Sequence, residues 1–179
     1  MSFNLLKLSQ CRLLAILFSI VICACHIEPE ETPDYGLTPV LIDIEAEDFG
    51  RLNSTAFDKI PVRAKVTLSG QTYLAEINYA GKSTLDAFKK NYDVRLLETP
   101  YKNRYKWRLS SQFADASLIR ASIGFQMFEA MGVPSPSVEF VSLAINGKAG
   151  GLYQLQELVD EEFFANRRLK TARPIKGFS

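Results

Sequence analysis

Val138 to Arg168 reads VEFVSLAINGKAGGLYQLQELVDEEFFANRR. Val141, Leu143 and Ile145 alternate onto one face of a strand, and Glu139 opens that face at its edge. Asn146-Gly147 supplies the two left-handed residues that a tight hairpin needs. The chain then returns from Gly150-Gly151 through Leu152 to Glu157. Asp160 reads as the N-cap of a helix with Glu161 and Glu162 in its positive first turn and Arg167 and Arg168 in its negative last turn.

Upstream, the same alternation recurs. Val40 to Ile44 is a short strand, and Glu45 to Asn53 a brief helix with Phe49 and Leu52 at helical spacing. Val62, Ala64, Val66 and Leu68 alternate with polar residues, Ser69-Gly70 turns the chain, and Thr72 to Tyr79 returns. Gly81 to Lys90 is a polar loop before a strand carrying Tyr92, Val94 and Leu96, and Tyr105 to Leu109 follows a turn at Lys102-Asn103. Asp115 is positioned to cap a helix ending at Met131, where Gly132, Pro134 and Pro136 stop it. Leu118, Ile119, Ile123, Phe125, Met127, Phe128 and Met131 cover more than one face of that helix, which predicts burial. The expected fold class is α+β, antiparallel hairpins packed on a buried helix. Arg120, one charge on this apolar helix, reads either as a snorkelling arginine or as an anchor for a carboxylate.

The 179 residues suffice for one domain, and 47% of them are apolar. Cys11, Cys23, Cys25 and His26 are all the cysteine and histidine in the chain, and all stand near its start. The folded part therefore excludes Ser-His-Asp and Cys-His catalysis, Cys/His zinc sites and a disulfide framework. No metal ligand set and no catalytic residue is assigned.

Residues 1–24 read as a signal peptide: Lys7 and Arg12, an apolar run from Leu13 to Ile22, then Ile22-Cys23-Ala24-Cys25. That boundary resembles a bacterial lipobox, which implies cleavage before Cys25, lipidation of its thiol and a membrane-anchored, Gram-negative envelope location. Removing the leader takes away Lys7 and Arg12 and no acid, moving the formal charge from +1 to −1. A near-neutral chain argues against a nucleic-acid partner. Residues 25–39 read as a lipidated cysteine and a solvated, acidic tether, and 40–179 as the domain.

Ala80-Gly81-Lys82-Ser83-Thr84 imitates the end of a phosphate-binding P-loop, but Glu76 stands where the pattern needs its first glycine. Read onward, the segment places a polar loop before a strand that starts with Lys89-Lys90. Hydroxyls of Ser83 and Thr84, backbone N–H groups and a strand-borne lysine can together hold phosphate. Lysines at strand starts also serve simply as soluble edge residues.

Three separated blocks resemble the CotH kinase family, atypical protein kinases that include spore-coat and secreted bacterial members. Gly81, Ser83, Thr84, Lys89, Lys90 and Tyr92 match its loop and lysine pair. Asp115, Ser117, Leu118 and Arg120 match its D-x-S-L-x-R block. Asn146, Gly147, Gly151, Tyr153, Glu157 and Asp160 match the hairpin unit, and Lys176 stands where a later lysine is expected. Ala80 and Phe88 depart from the arginine and proline that the family often has. The resemblance implies the N-terminal part of an atypical protein-kinase-like fold, using ATP and magnesium on extracytoplasmic protein substrates. It places Lys89 or Lys90 on nucleotide phosphates and Glu157 near the nucleotide cleft. It also implies that the acidic, metal-holding residues follow the Lys176 region, so that the chain as it stands does not catalyse transfer. A non-catalytic surface binding lipoprotein, or a fragment of a longer kinase gene, is the alternative.

Overall fold

The computed structural model of the chain describes residues 36–169. The leader, Cys25, most of the tether and Lys176 lie outside the described residues. In order, the described elements are β1 (Thr38–Asp43), α1 (Ala46–Ser54), β2 (Val62–Leu68), β3 (Gln71–Ala80), β4 (Asn91–Leu96), β5 (Lys106–Ser110), α2 (Arg120–Ala130), β6 (Val138–Ile145), β7 (Lys148–Glu157) and α3 (Glu161–Asn166).

The strands close into a barrel in the order β1-β2-β3-β4-β5-β7-β6. A ring of seven strands cannot alternate direction all the way round, so one neighbouring pair must run parallel. Here it is β1 with β6, with Val40 opposite Leu143 and Ile42 opposite Ile145. The other neighbours are antiparallel. Inward positions recur with period two: Val40 and Ile42; Val62, Ala64, Val66 and Leu68; Tyr73, Ala75, Ile77 and Tyr79; Tyr92, Val94 and Leu96; Trp107 and Leu109; Val141 and Leu143; Tyr153 and Leu155. All are buried, at about 1.5–3 kcal/mol for each large aliphatic or aromatic side chain.

This corrects the expected α+β arrangement of hairpins on a buried helix. The protein is mostly β, and its sheet covers its own apolar face by closing. Of α2, only Ser122 is buried, while Ile123, Met127 and Phe128 face outward. Alternation marks which residues point inward, and an open sheet and a barrel share it. Closure depends on the pairing of β1 with β6 and of β5 with β7, contacts between segments distant in the chain.

The β6–β7 hairpin is as its sequence predicts. Asn146 and Gly147 take φ of +50° and +74°, which suits an Asn-Gly turn. Asn146 also closes the barrel. Its N–H donates to the Ile42 carbonyl at 2.8 Å, and its Oδ1 accepts from the Ile44 N–H at 2.7 Å. Asp160 caps α3 through the Phe163 N–H. Asp115 does not cap α2, which starts at Arg120 behind Ile119; it organises the turn before the helix.

Candidate functional site

The loop of residues 81–90 joins β3 to β4 and is tied down at several points. Gly81 has φ of +94°, and a Cβ there would collide with Thr84 Oγ1, so glycine is required. Asn91 Nδ2 donates to Thr84 Oγ1 at 3.1 Å, and Asn91 Oδ1 accepts from the Ser111 N–H at 2.7 Å and its hydroxyl at 2.8 Å. One asparagine thus joins the loop to the exit of β5.

The lysine pair faces the barrel rather than open solvent. Lys89 Nζ donates to the Leu152 carbonyl at 2.5 Å and sits 4.4 Å from the centre of the Tyr153 ring, a cation–π distance. Burial holds the Lys89 pKa below the ordinary lysine value. Lys90 Nζ donates to the Leu85 carbonyl within the loop. The Tyr153 hydroxyl donates to the Lys90 carbonyl at 3.0 Å, and burial pushes the Tyr153 pKa up to about 12, so the phenol stays a donor at neutral pH. The loop and the hairpin unit meet here.

The Asp115–Arg120 block approaches from the other side. Asp115 Oδ1 accepts from the Ser117 hydroxyl at 2.7 Å and its N–H at 3.1 Å, while Oδ2 accepts from the Arg120 N–H at 2.9 Å. The Ser117 hydroxyl, followed by the Arg120 N–H, holds the Asp115 carboxyl below the usual range, against a smaller opposing effect of burial. Leu118 is left-handed at φ of +59°, and its carbonyl accepts from Gln154 Nε2 at 2.6 Å. A leucine held there is a local strain retained by its surroundings. Between this block and the loop lies a cleft of about 380 Å³, lined by Thr84, Asn91, Gln112, Phe113, Asp115 and Arg120 among others. The Arg120 guanidinium is 3.4 Å from Asp115 Oδ1 and 79% exposed. Asp115 is the carboxylate beside it, and most of the guanidinium's charge stays open to solvent.

The expected site residues therefore separate. Thr84 lines the cleft and Ser83 is exposed beside it in the loop. Lys89 and Lys90 brace the loop from behind. Glu157 lies elsewhere, five residues along β7 from Leu152 and so roughly 16 Å away along the strand. Its Oε1 accepts from Arg104 Nη1 at 3.0 Å and Arg167 Nη1 at 2.8 Å, and its Oε2 from Arg167 Nη2 at 2.6 Å and the Ser137 N–H at 3.1 Å. Burial pushes its pKa up, and the hydrogen bonds from Arg167 and Ser137 with the charges of Arg167 and Arg104 outweigh that, leaving it below the ordinary carboxylate value. Arg104 also reaches Asp160 at 2.7 Å and the Leu158 carbonyl at 2.8 Å. Two residues that join the blocks, Asn91 and Gln154, were not singled out in the sequence. A glutamine between apolar neighbours on a strand looks like an outward, solvated residue; it is 1% exposed. Among the described residues no group of three or more His, Cys, Asp and Glu is gathered closely enough to hold a metal ion.

Residues 77–175 match the family model described as CotH kinase protein, a range that contains the two blocks that line the cleft and the β6–β7 hairpin that braces the loop. The chain belongs to the CotH kinase family. It is 28% identical over 127 residues to the inner spore coat protein H of Bacillus subtilis (strain 168), covering 70% of this chain and 35% of that relative. The chain thus spans about a third of the length of the curated relative it matches. The CotH match begins within β3, so β1, α1 and β2 complete the barrel from residues outside the matched range.

Proposed function

We propose that this chain carries the phosphate-facing part of a CotH-type kinase domain in a bacterial cell envelope, and that it holds nucleotide phosphates at the cleft between loop 81–90 and Arg120. The observation that carries this reading is that two CotH blocks, loop 81–90 and Asp115–Arg120, line one cleft with an exposed guanidinium, while the third braces the loop through the Tyr153 hydroxyl. Arginine suits phosphate because its planar fork offers paired donors. Thr84 on the opposite wall, with Ser83 exposed beside it, adds hydroxyl donors to the loop N–H groups. Lys89 and Lys90 set the position of the loop, since each ammonium already bonds a backbone carbonyl.

Phosphoryl transfer needs a metal held by carboxylates and a residue that orients the nucleophile. We read the described residues as supplying the cationic side of such a site and not the carboxylate side, so that this chain alone binds ATP weakly and transfers no phosphate. The envelope reading rests on the spore-coat name of the relative and on the proposed lipid anchor at Cys25. Intact-mass analysis of wild type and Cys25→Ser tests that anchor. An extracytoplasmic protein is the substrate of the complete domain in this reading. The commitment of both lysines to carbonyls favours a second reading, a non-catalytic envelope binding protein on the same scaffold.

Calorimetric titration with ATP, with and without magnesium, together with a radiolabel transfer assay on a serine-rich protein, tests the proposal. The expected affinity is millimolar, about 4 kcal/mol. Arg120→Ala should remove it, because one charge-assisted bond contributes about 1.5–3 kcal/mol. Lys90→Ala should weaken it more than Lys82→Ala, since Lys90 braces the loop. Robust labelling by the chain would overturn the non-catalytic reading. Tight binding lost only on Lys82→Ala would restore the P-loop that Glu76 argues against.

A further inference from the structure

Two unfavourable local features meet on the outer side of β7. Leu118 holds φ of +59°, a backbone region that a leucine side chain disfavours. Its carbonyl accepts from Gln154 Nε2 at 2.6 Å. Gln154 is 1% exposed, and its Oε1 is buried without a hydrogen-bond partner among the described residues. A left-handed leucine and an unpaired buried amide oxygen both lower stability, and folds keep such features where a site depends on them. A methionine would fill the same space without the orphaned oxygen, so the amide is held for its one donated bond. Tyr153 and Leu155 point into the barrel, which turns Gln154 outward, beneath the segment that joins β5 to α2.

We infer that Gln154 is a positioning residue for Arg120: it ties the Leu118 carbonyl to the barrel, keeps the 115–120 turn in its left-handed form, and so holds Arg120 on the wall of the cleft. The turn is fastened from within by Asp115, whose carbonyl accepts from the Leu118 N–H at 3.0 Å and whose Oδ2 accepts from the Arg120 N–H at 2.9 Å. Gln154 adds the bond from β7. Leu118 stands two residues before Arg120, so freeing its carbonyl lets the backbone return to an ordinary conformation and swings the start of α2 with it. Gln154 does not itself line the cleft, and it acts through the turn. The inference deepens the phosphate reading of the cleft and rests on it.

The test uses the full chain with Gln154→Met, which keeps the volume and removes the donor, and Gln154→Glu, which keeps a donor only while its carboxyl is protonated. Ser110, Ser111, Gln112, Phe140 and Leu152 surround the position without a charge, and Tyr153, whose pKa burial pushes up to about 12, stays neutral. Burial there should raise the introduced carboxyl above the ordinary glutamate value, so ATP titrations run from about pH 5 to about pH 8, each referred to wild type at the same pH. Gln154→Met should bind ATP ~10-fold more weakly throughout. Gln154→Glu should bind within about twofold of wild type at the acid end and ~10-fold more weakly at the alkaline end, a profile that general loosening of the fold would not give. Hydrogen exchange needs no nucleotide: the Leu118 and Arg120 amides should exchange ~10-fold faster in Gln154→Met while those of β2, β3 and β4 stay protected. A Gln154→Glu ratio flat across pH, wild-type ATP binding by Gln154→Met, or strands that lose protection together with the turn would each overturn the inference. Absence of ATP binding by wild type, with the exchange pattern as expected, would overturn the phosphate reading and leave Gln154 as the anchor of the turn.

Discussion

Replacing Glu157 by glutamine takes the charge from a carboxylate on which two guanidinium groups converge. Arg104 is 2% exposed, so it cannot recover the lost interaction from water. It would keep Asp160 at 2.7 Å and the Leu158 carbonyl at 2.8 Å. Breaking a buried ion pair by removing one partner costs about 3–5 kcal/mol, and the surviving Asp160 contact places this case near the lower end, ~3 kcal/mol. For a domain of this size that is a fall in Tm of roughly 6–12 °C. Thermal and urea melts followed by circular dichroism measure it. Arg104→Met together with Glu157→Leu should cost less than Glu157→Gln alone, because the buried charge leaves with its partner and Arg167, 27% exposed, can rehydrate. ATP titration of Glu157→Gln should match wild type, since Glu157 stands away from the cleft. A Tm shift under about 2 °C, or a double variant weaker than the single one, would refute the assignment of Glu157 to the structural network.

The same carboxylate predicts acid lability. Its folded pKa is depressed, so its contribution is complete above the ordinary carboxylate pKa of about 4.3 and is lost as pH falls through the folded value; wild-type Tm should hold from pH 7 to 5 and drop below about 4, and that component should be missing in Glu157→Gln. Asn146→Ala removes the acceptor for the Ile44 N–H and leaves alanine at positive φ, a loss of about 2 kcal/mol in a urea melt. Tyr153→Phe loses the bond to the Lys90 carbonyl, about 1 kcal/mol, and should speed exchange of loop 81–90 amides while β2 stays protected. Gly81→Ala drives a Cβ into Thr84 Oγ1 at positive φ and should abolish anion binding at the cleft with the barrel still folded by circular dichroism.

Much of the local structure is legible in the sequence because it is set by local rules. Asn146-Gly147 encodes its turn through backbone freedom, Asp160 encodes its cap, and the alternation in Val62 to Leu68 encodes an inward face. What escapes is non-local. Nothing in Thr38–Asp43 announces a parallel partner more than a hundred residues away, and without that pair the barrel looks like hairpins in need of a helix. The α2 residues then invite a burial reading, because an apolar helix in a sequence carries no mark of which of its faces the fold leaves exposed. The site divides in the same way. Thr84, Asp115 and Arg120 were legible as motif positions and meet at one cleft. Asn91 and Gln154 were not, since their roles lie in which distant backbone groups they bond. Lys89, Lys90 and Glu157 were legible as motif residues, but the partners that occupy them come from Leu152, Leu85, Arg104 and Arg167, which only the fold brings together.

The most direct measurement is a backbone amide NMR titration of the full chain with ATP, repeated on Arg120→Ala. Phosphate binding at the cleft should give fast-exchange shifts confined to residues 81–91 and 112–121, fitting a millimolar affinity and vanishing in Arg120→Ala. Shifts centred on Arg104, Glu157 and Arg167, or shifts that persist undiminished in Arg120→Ala, would contradict it.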